Sequence, residues 1–321
     1  MPYHVFVADF GGSKLAAAIV DRRGRIASRR AEPVDLGSPL APVLQIRRLA
    51  REFAGKQNTK SAFAAAAVAV PGLVRPTGTV WAPNLPGWER MPLASRLRRS
   101  LGIPVIVESD RNAAILGEVW RGAARGKSDA ITVIIGTGIG AGILSGGRLV
   151  RGAHELSGCA GWMVVRGDKS REAKRFGELE ALTAGPAIER AARRALAEGK
   201  NSRLRDVQAS KLTAYDVATA ARRGDPLSRE IFKNAGRLLG YGIANLVSLF
   251  DPEIVVIAGG MAGAADLFMH SLTQAMLERA QPIAAKRVRI AVSKLGGDAN
   301  LLGCALLAWK SGEDGAGSDA R

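Results

Sequence analysis

The stretch AITVIIGTGIGAGILSGGRLV (130–150) decides the fold. Six small or apolar residues rich in β-formers run into a glycine-rich turn. A second apolar strand follows directly, and a Ser-Gly-Gly turn leads into a third. HVFVADFGGSKLAAAIVDRRGRI (4–26) follows the same plan. A β-meander therefore opens each half of the chain, which predicts two α/β domains of related topology, each with a mixed sheet, facing one another across a cleft.

The intervening segments fit that plan. SAFAAAAVAVPGLV supplies a small-residue strand, PVIVES another, and NAAILGEVWRGAA a helix with apolar residues recurring at three and four. After the second meander the chain reads as helical through GELEALTAGPAIERAARRALAEG, TAYDVATAARRG and PLSREIFKNAGRLLGYGIANLVSLFD. A βα unit at EIVVIAGGMAGAADLFMHSLTQAMLERA, a short strand RVRIAVS and the helix NLLGCALLAWK complete it. That last apolar helix needs a sheet to cover, so it is expected to return to the first domain. The expected division is 1–118 plus 298–321 for a smaller domain and 119–297 for a larger one. The tail SGEDGAGSDAR is expected to be disordered.

With 321 residues, 47% of them hydrophobic, the chain can fill a substantial core. Two cysteines, Cys159 and Cys304, lie far apart without a metal-ligand spacing, so neither a disulfide framework nor a zinc site is expected. No signal segment or membrane span is read, and a cytoplasmic protein is expected. The formal charge of +17 would attract phosphate-bearing ligands, nucleic acid or anionic lipid. The basic residues are spread without interleaved aromatics, so a solvated basic surface is the expectation and nucleic acid is not an expected partner.

The glycine turns admit more than one reading. GTGIGAG satisfies a dinucleotide-loop pattern, but a strand follows it where that motif needs a helix N-terminus, so that reading fails. A glycine-rich turn between strands can still present backbone N–H groups to a phosphate, with hydroxyls from Ser13 and Thr137 and the Lys14 cation beside them. Plain hairpin glycines would look the same. In DPEIVVIAGGMAG, Gly259 and Gly260 follow a buried strand, either to let a flat ring approach the backbone or to let strand and helix pack. Asp110 in VIVESDRNAA is equally open: it is a helix cap, for which Ser109 would serve as well, or a carboxylate held for chemistry.

The collinear motifs DFGGSK, PNLPGW, ESDRNAA, GTGIGAGI, GAHELSGCAGWM and DPEIVVIAGG resemble the ROK family of sugar kinases and related repressors, in the actin-like ATPase superfamily. The resemblance runs from residue 4 to about 310. It implies two actin-like, ribonuclease H-like domains and phosphorylation of a hydroxyl on a sugar or sugar-like substrate, using ATP and Mg²⁺. On the matching positions, Asp9, Gly11, Gly12, Ser13 and Lys14 would form the first phosphate loop, with Asp9 holding Mg²⁺ through water. Gly136, Thr137, Gly138 and Gly140 would form the second. Gly259 and Gly260 would lie against the adenosine, Asn84 and Glu180 would reach the sugar, and Asp110 would be the general base. A homodimer is implied by the family alone.

The sugar pocket departs from the pattern. Ser109 stands where these kinases commonly have asparagine, Cys159 where they have a sugar-binding glutamate, and Trp162 where a histidine binds sugar and zinc. The cysteine-rich zinc segment is replaced by RGDKSREAKRFGELE. Each lost hydrogen bond removes about 0.5–1.5 kcal/mol of discrimination, so glucose in the usual pose is expected to bind poorly and a less polar sugar or polyol becomes a candidate. Cys159 reads as a small buried filler and Trp162 as a plug for the space of the zinc segment. A catalytically weak sugar-binding or regulatory protein without a DNA-binding domain is the alternative, and polyphosphate is an alternative phosphoryl donor.

Overall fold

The computed structural model describes residues 3–11 and 14–316, of which 312–316 by backbone alone. Gly12 and Ser13, assigned above to the first phosphate loop, lie outside the described residues, as do residues 317–321 of the tail. The chain separates into two compact units: Met1–Gly126, Arg151–Ser157 and Gly297–Arg321, and Lys127–Val150 with Gly158–Gly296.

In unit 1, β1 (His4–Phe10), β2 (Lys14–Asp21) and β3 (Ile26–Pro33) form the antiparallel meander. Helices α1 (Ala41–Ala54) and α2 (Thr59–Ala62) lead to β4 (Phe63–Val70), which pairs parallel with β1. A hairpin of β5 (Leu73–Val74) and β6 (Val80–Trp81) precedes α3 (Leu93–Leu101), β7 (Val105–Ser109) and α4 (Asp110–Arg121). The strand order is β3-β2-β1-β4-β7. The central strand β4, FAAAAVAV, is covered on both faces, which suits its unbroken apolar run. The edge strand β3 carries exposed Arg29 and Arg30, charges that discourage pairing with another chain.

Unit 2 repeats the topology. Its meander is β8 (Ala130–Ile135), β9 (Ile139–Ser145) and β10 (Arg148–Leu149). Helices α5 (Arg171–Phe176), α6 (Glu178–Thr183), α7 (Gly185–Ala197), α8 (Ala214–Arg222) and α9 (Pro226–Phe250) come next. The chain continues through β11 (Ile254–Ala258), α10 (Ala265–Arg279), α11 (Pro282–Arg287) and β12 (Arg289–Val292). The order β10-β9-β8-β11-β12 reproduces that of unit 1 strand for strand, with β11 parallel to both β8 and β12. The duplication read from the two meanders is thus present in full.

Each unit has its own core. Phe6, Phe10 and Trp88 are fully covered in unit 1, and Phe232 and Phe268 in unit 2; each such side chain contributes about 1.5–3 kcal/mol. Helix α12 (Asp298–Ala316) belongs to unit 1, where it packs on β1, β4 and α4. Two glycines allow that contact: a Cβ on Gly117 would stand 2.0 Å from the Ala299 carbonyl oxygen, and one on Gly303 would stand 1.8 Å from that of Ala113.

Three expectations require correction. The helix after β7 begins at Asp110, two residues earlier than read, because Ser109 supplies its cap. Helix α12 continues through Ala316, so residues 311–316 of the tail are helical; the hydrogen-bond ladder propagates past Lys310 despite two glycines. Trp162 is 58% exposed and plugs nothing, because the 3-10 turn Ala160–Trp162 buries Ala160 and Gly161 and turns the indole outward, and Cys159 beside it is only half-buried.

Candidate active site

In unit 1 the parallel strands β1, β4 and β7 end at one edge of the sheet, where Asp9 pairs across from Ala69 and Val70 from Ser109. Ligands of open α/β sheets bind at such carboxyl ends. Ser109 has an extended backbone, and its Oγ accepts the Asn112 N–H at 3.4 Å. Capping is therefore done by Ser109, and Asp110 becomes the first helical residue. The helix N-terminus favours a negative charge there. The Asp110 carboxylate accepts the Arg111 N–H at 2.8 Å, and no side chain among the described residues donates to it. Part of it remains accessible, yet it is densely enclosed; burial pushes its pKa up against the opposing charge of Arg111.

Asp9 lies near enough for the two carboxylates to repel. Its pKa is pushed up to about 7, first by burial and then by the Asp110 charge, while a hydrogen bond from Asn300 and the charge of Arg29 oppose the rise. The Asn300 amide in α12 donates to Asp9 Oδ1 at 3.0 Å. Behind this edge, buried Glu108 accepts from Ser109 N–H at 2.8 Å, Asn112 Nδ2 at 3.0 Å and Arg151 Nη1 at 3.1 Å. Glu108 thereby fixes the backbone from which Ser109 and Asp110 project.

The β1–β2 turn is closed by Gly11 N–H donating to the Lys14 carbonyl at 2.8 Å, and both residues are exposed. Phe10, just before this turn, meets the edge of Trp88 at 5.5 Å between centroids. Trp88 donates through Nε1 to the Pro39 carbonyl at 2.9 Å, and its own carbonyl accepts from Ala82 N–H at 2.9 Å. Those contacts cinch the loop after β6 and leave Asn84 exposed on it.

In unit 2 the β8–β9 turn is built by Gly136 N–H donating to the Gly138 carbonyl at 2.9 Å, with Thr137 exposed. Glu180, at the start of α6, lies against this turn: its Oε2 accepts the Ile139 N–H at 2.7 Å, and a Cβ on Gly138 would stand 2.7 Å from the same oxygen. Burial pushes the Glu180 pKa up and the Ile139 N–H opposes it. A pocket of about 660 Å³ opens beside the turn, lined by Gly136, Thr137, Gly185, Tyr215 and Gly260 over apolar Met261 and Ala264.

The two glycines after β11 separate here. Gly259 has φ +85°, and a Cβ on it would stand 2.4 Å from the Ile135 carbonyl oxygen, so it serves the join of β11 to β8. Gly260 has nothing within 4 Å of where its Cβ would be and lines the pocket. The sequence could not distinguish them.

Asn300, Glu108 and Arg151 were missed by the sequence reading. An Asn in the first turn of an otherwise apolar helix was the available sign for Asn300; nothing local marks the Glu108–Arg151 pair, which joins residues 43 apart. Among the described residues no group of three His, Cys, Asp or Glu side chains is placed to hold a metal. No helix among them is long and apolar enough to cross a membrane.

Two sheets of one topology, each with a glycine turn after its first strand, define an actin-like α/β protein. The ROK family model matches residues 6–311, and the chain belongs to the ROK family. It is 30% identical to a glucokinase of Halalkalibacterium halodurans, over 92% of each chain. It is 35% identical to the bifunctional enzyme NanE/NanK of Brucella melitensis over 95% of this chain, which spans 54% of that longer protein. The structure of a ROK family glucokinase from Streptomyces griseus in complex with glucose and AMPPNP superposes with a TM-score of 0.81 at 30% identity, covering 96% of this chain and 99% of the other.

Proposed function

We propose that this ROK-family sugar kinase transfers the γ-phosphoryl group of ATP to a hydroxyl of a sugar or polyol, with Asp110 as general base. The observation that carries the reading is Asp110 itself: Ser109 has taken over the capping, so the carboxylate is held at a helix N-terminus without a side-chain partner among the described residues. As the acceptor oxygen bonds to phosphorus, its proton passes to the Asp110 carboxylate and ADP leaves; a carboxyl raised by burial is the better proton acceptor.

Unit 2 would supply the nucleotide site. The triphosphate would meet the backbone N–H groups of Gly136, Thr137 and Gly138, and the adenosine would enter the pocket at Gly260 beside Gly259. Unit 1 would supply the general base and the first loop, Gly11 to Lys14 with Gly12 and Ser13. Asn84, Ser109 and Glu180 are the candidate sugar contacts.

The residues fit Mg²⁺. Asp9 and Asp110 are two enclosed, mutually repelling carboxylates, and a hydrated dication that keeps most of its waters needs only one or two such groups plus phosphate oxygens. Asp9 would hold the ion through water, where it would neutralise charge on the phosphates.

The names of the relatives support a hexose acceptor. Ser109, Cys159 and Trp162 stand where the family pattern has asparagine, glutamate and histidine, so an amino, deoxy or otherwise modified sugar, or a polyol, belongs beside glucose in the assay. A cytoplasmic homodimer is the accompanying family expectation, which light scattering reads. The decisive experiment follows formation of the phosphorylated acceptor by the purified protein with a panel of sugars and polyols, supplying ATP and Mg²⁺ or polyphosphate. Turnover with ATP on at least one acceptor is expected; no turnover on any acceptor, with sugar binding retained, would favour a binding protein.

A further inference from the structure

A second concentration of charge lies in unit 1, between α1 and α3. Arg47 and Arg51 from α1 and Arg96 and Arg99 from α3 line a pocket of about 480 Å³ over Val43 and Leu44. Spacings of four and three place each pair on one face of its helix.

The neighbouring acids are already committed. Glu52, the one acid in α1, pairs with Arg48 and Arg30, and Glu32 pairs with Arg48. Arg98, between the two α3 arginines, donates to the Val105 carbonyl at 3.1 Å. None of the four pocket guanidinium groups forms a hydrogen bond or ion pair with a described residue, and the Arg47 Nε is buried without an acceptor. A buried donor left unmatched beside three like charges is unfavourable in the empty protein, and an anion would relieve both costs. Planar guanidinium forks match phosphate oxygens. The volume suits a small molecule, since ligand pockets run about 300–1,000 Å³. Leu44, 55% exposed, gives an organic body an apolar surface to cover.

We propose that this pocket binds a small phosphate monoester, with its phosphate among the four arginines and its organic part on Val43 and Leu44, separate from the nucleotide and sugar sites. Leu40, also in the lining, follows Pro39, whose carbonyl holds Trp88 and thereby the loop of Asn84. A ligand here would sit beside the anchor of that loop.

Calorimetric titration of the full chain with phenyl phosphate, in the presence of AMPPNP to fill the nucleotide site, tests the proposal. One site is expected, with inorganic phosphate binding at least threefold more weakly. Arg47→Gln/Arg99→Gln should weaken phenyl phosphate at least tenfold and leave AMPPNP affinity unchanged. Arg96→Gln/Arg99→Gln, which spares the partly buried Arg47, repeats the test should the first variant fold poorly. Absence of the site in the unmodified protein, or equal affinity in a folded variant, would overturn the proposal. So would a 20-nucleotide single strand whose binding falls tenfold in the variant while phenyl phosphate does not bind, which would assign this face to nucleic acid.

Discussion

Asn300 donates to Asp9 at 3.0 Å and joins the first turn of α12 to the end of β1, 291 residues away. A hydrogen bond to a carboxylate is worth about 1.5–3 kcal/mol, and the lower figure corresponds to about tenfold in rate. Asn300→Leu is therefore expected to lower kcat about tenfold or more and, because the bond is also made in the resting protein, to lower stability by about 1.5–3 kcal/mol. Steady-state kinetics and a melting curve on one preparation check both.

Gly259 and Gly260 are adjacent and should respond oppositely. An alanine at 259 must adopt φ +85° with its Cβ 2.4 Å from a carbonyl oxygen, so Gly259→Ala should cost about 2 kcal/mol or more in denaturant unfolding. Gly260→Ala meets no atom of the protein, so stability should change by less than about 0.5 kcal/mol while KM for ATP rises severalfold.

Glu180 has one oxygen committed to Ile139 N–H. Glu180→Gln keeps an acceptor for that N–H and should raise KM for the sugar with little change for ATP. Glu180→Ala strands the donor, costs about 1–2 kcal/mol of stability and should raise KM for both.

Asp225 caps the 25-residue helix α9 and accepts from Ser228 N–H at 2.9 Å, Ser202 Oγ at 2.9 Å and Arg203 N–H at 3.0 Å. Burial would raise its pKa, but the hydrogen bonds from Ser228, Arg203 and Ser202 hold it below the ordinary carboxylate value. A carboxyl depressed in the folded state stabilises fully above its unfolded pKa and loses that contribution as pH falls through the folded value. Stability should thus drop on acidification below the normal aspartate range, and Asp225→Ala, about 3 kcal/mol less stable at neutral pH, should drop less. Urea unfolding at several pH values reads the difference.

The duplicated meander was legible because short runs of β-forming apolar residues and glycine turns are local signals, and it accounts for three of the five strands in each sheet. Asp110 was legible as a choice between cap and base; deciding it required seeing which hydroxyl reached Asn112. Gly259 and Gly260 were one dipeptide in sequence and became two roles only when β8 was placed beside β11. Asn300 and Arg151 reach their partners across the folded chain, and pairings of that kind leave no trace in neighbouring residues. The outward turn of Trp162 also escaped the reading, since the pattern showed which residue replaced histidine but not that the small residues Ala160 and Gly161 would take the interior.

The central claim is that Asp110 accepts the acceptor's proton. Comparing single-turnover phosphotransfer and AMPPNP binding in Asp110→Asn with the unmodified protein tests it most directly. The rate should fall by about 10²–10⁴ with nucleotide affinity within about twofold, as expected for removal of a general base; a rate within about threefold of the unmodified protein would contradict the account.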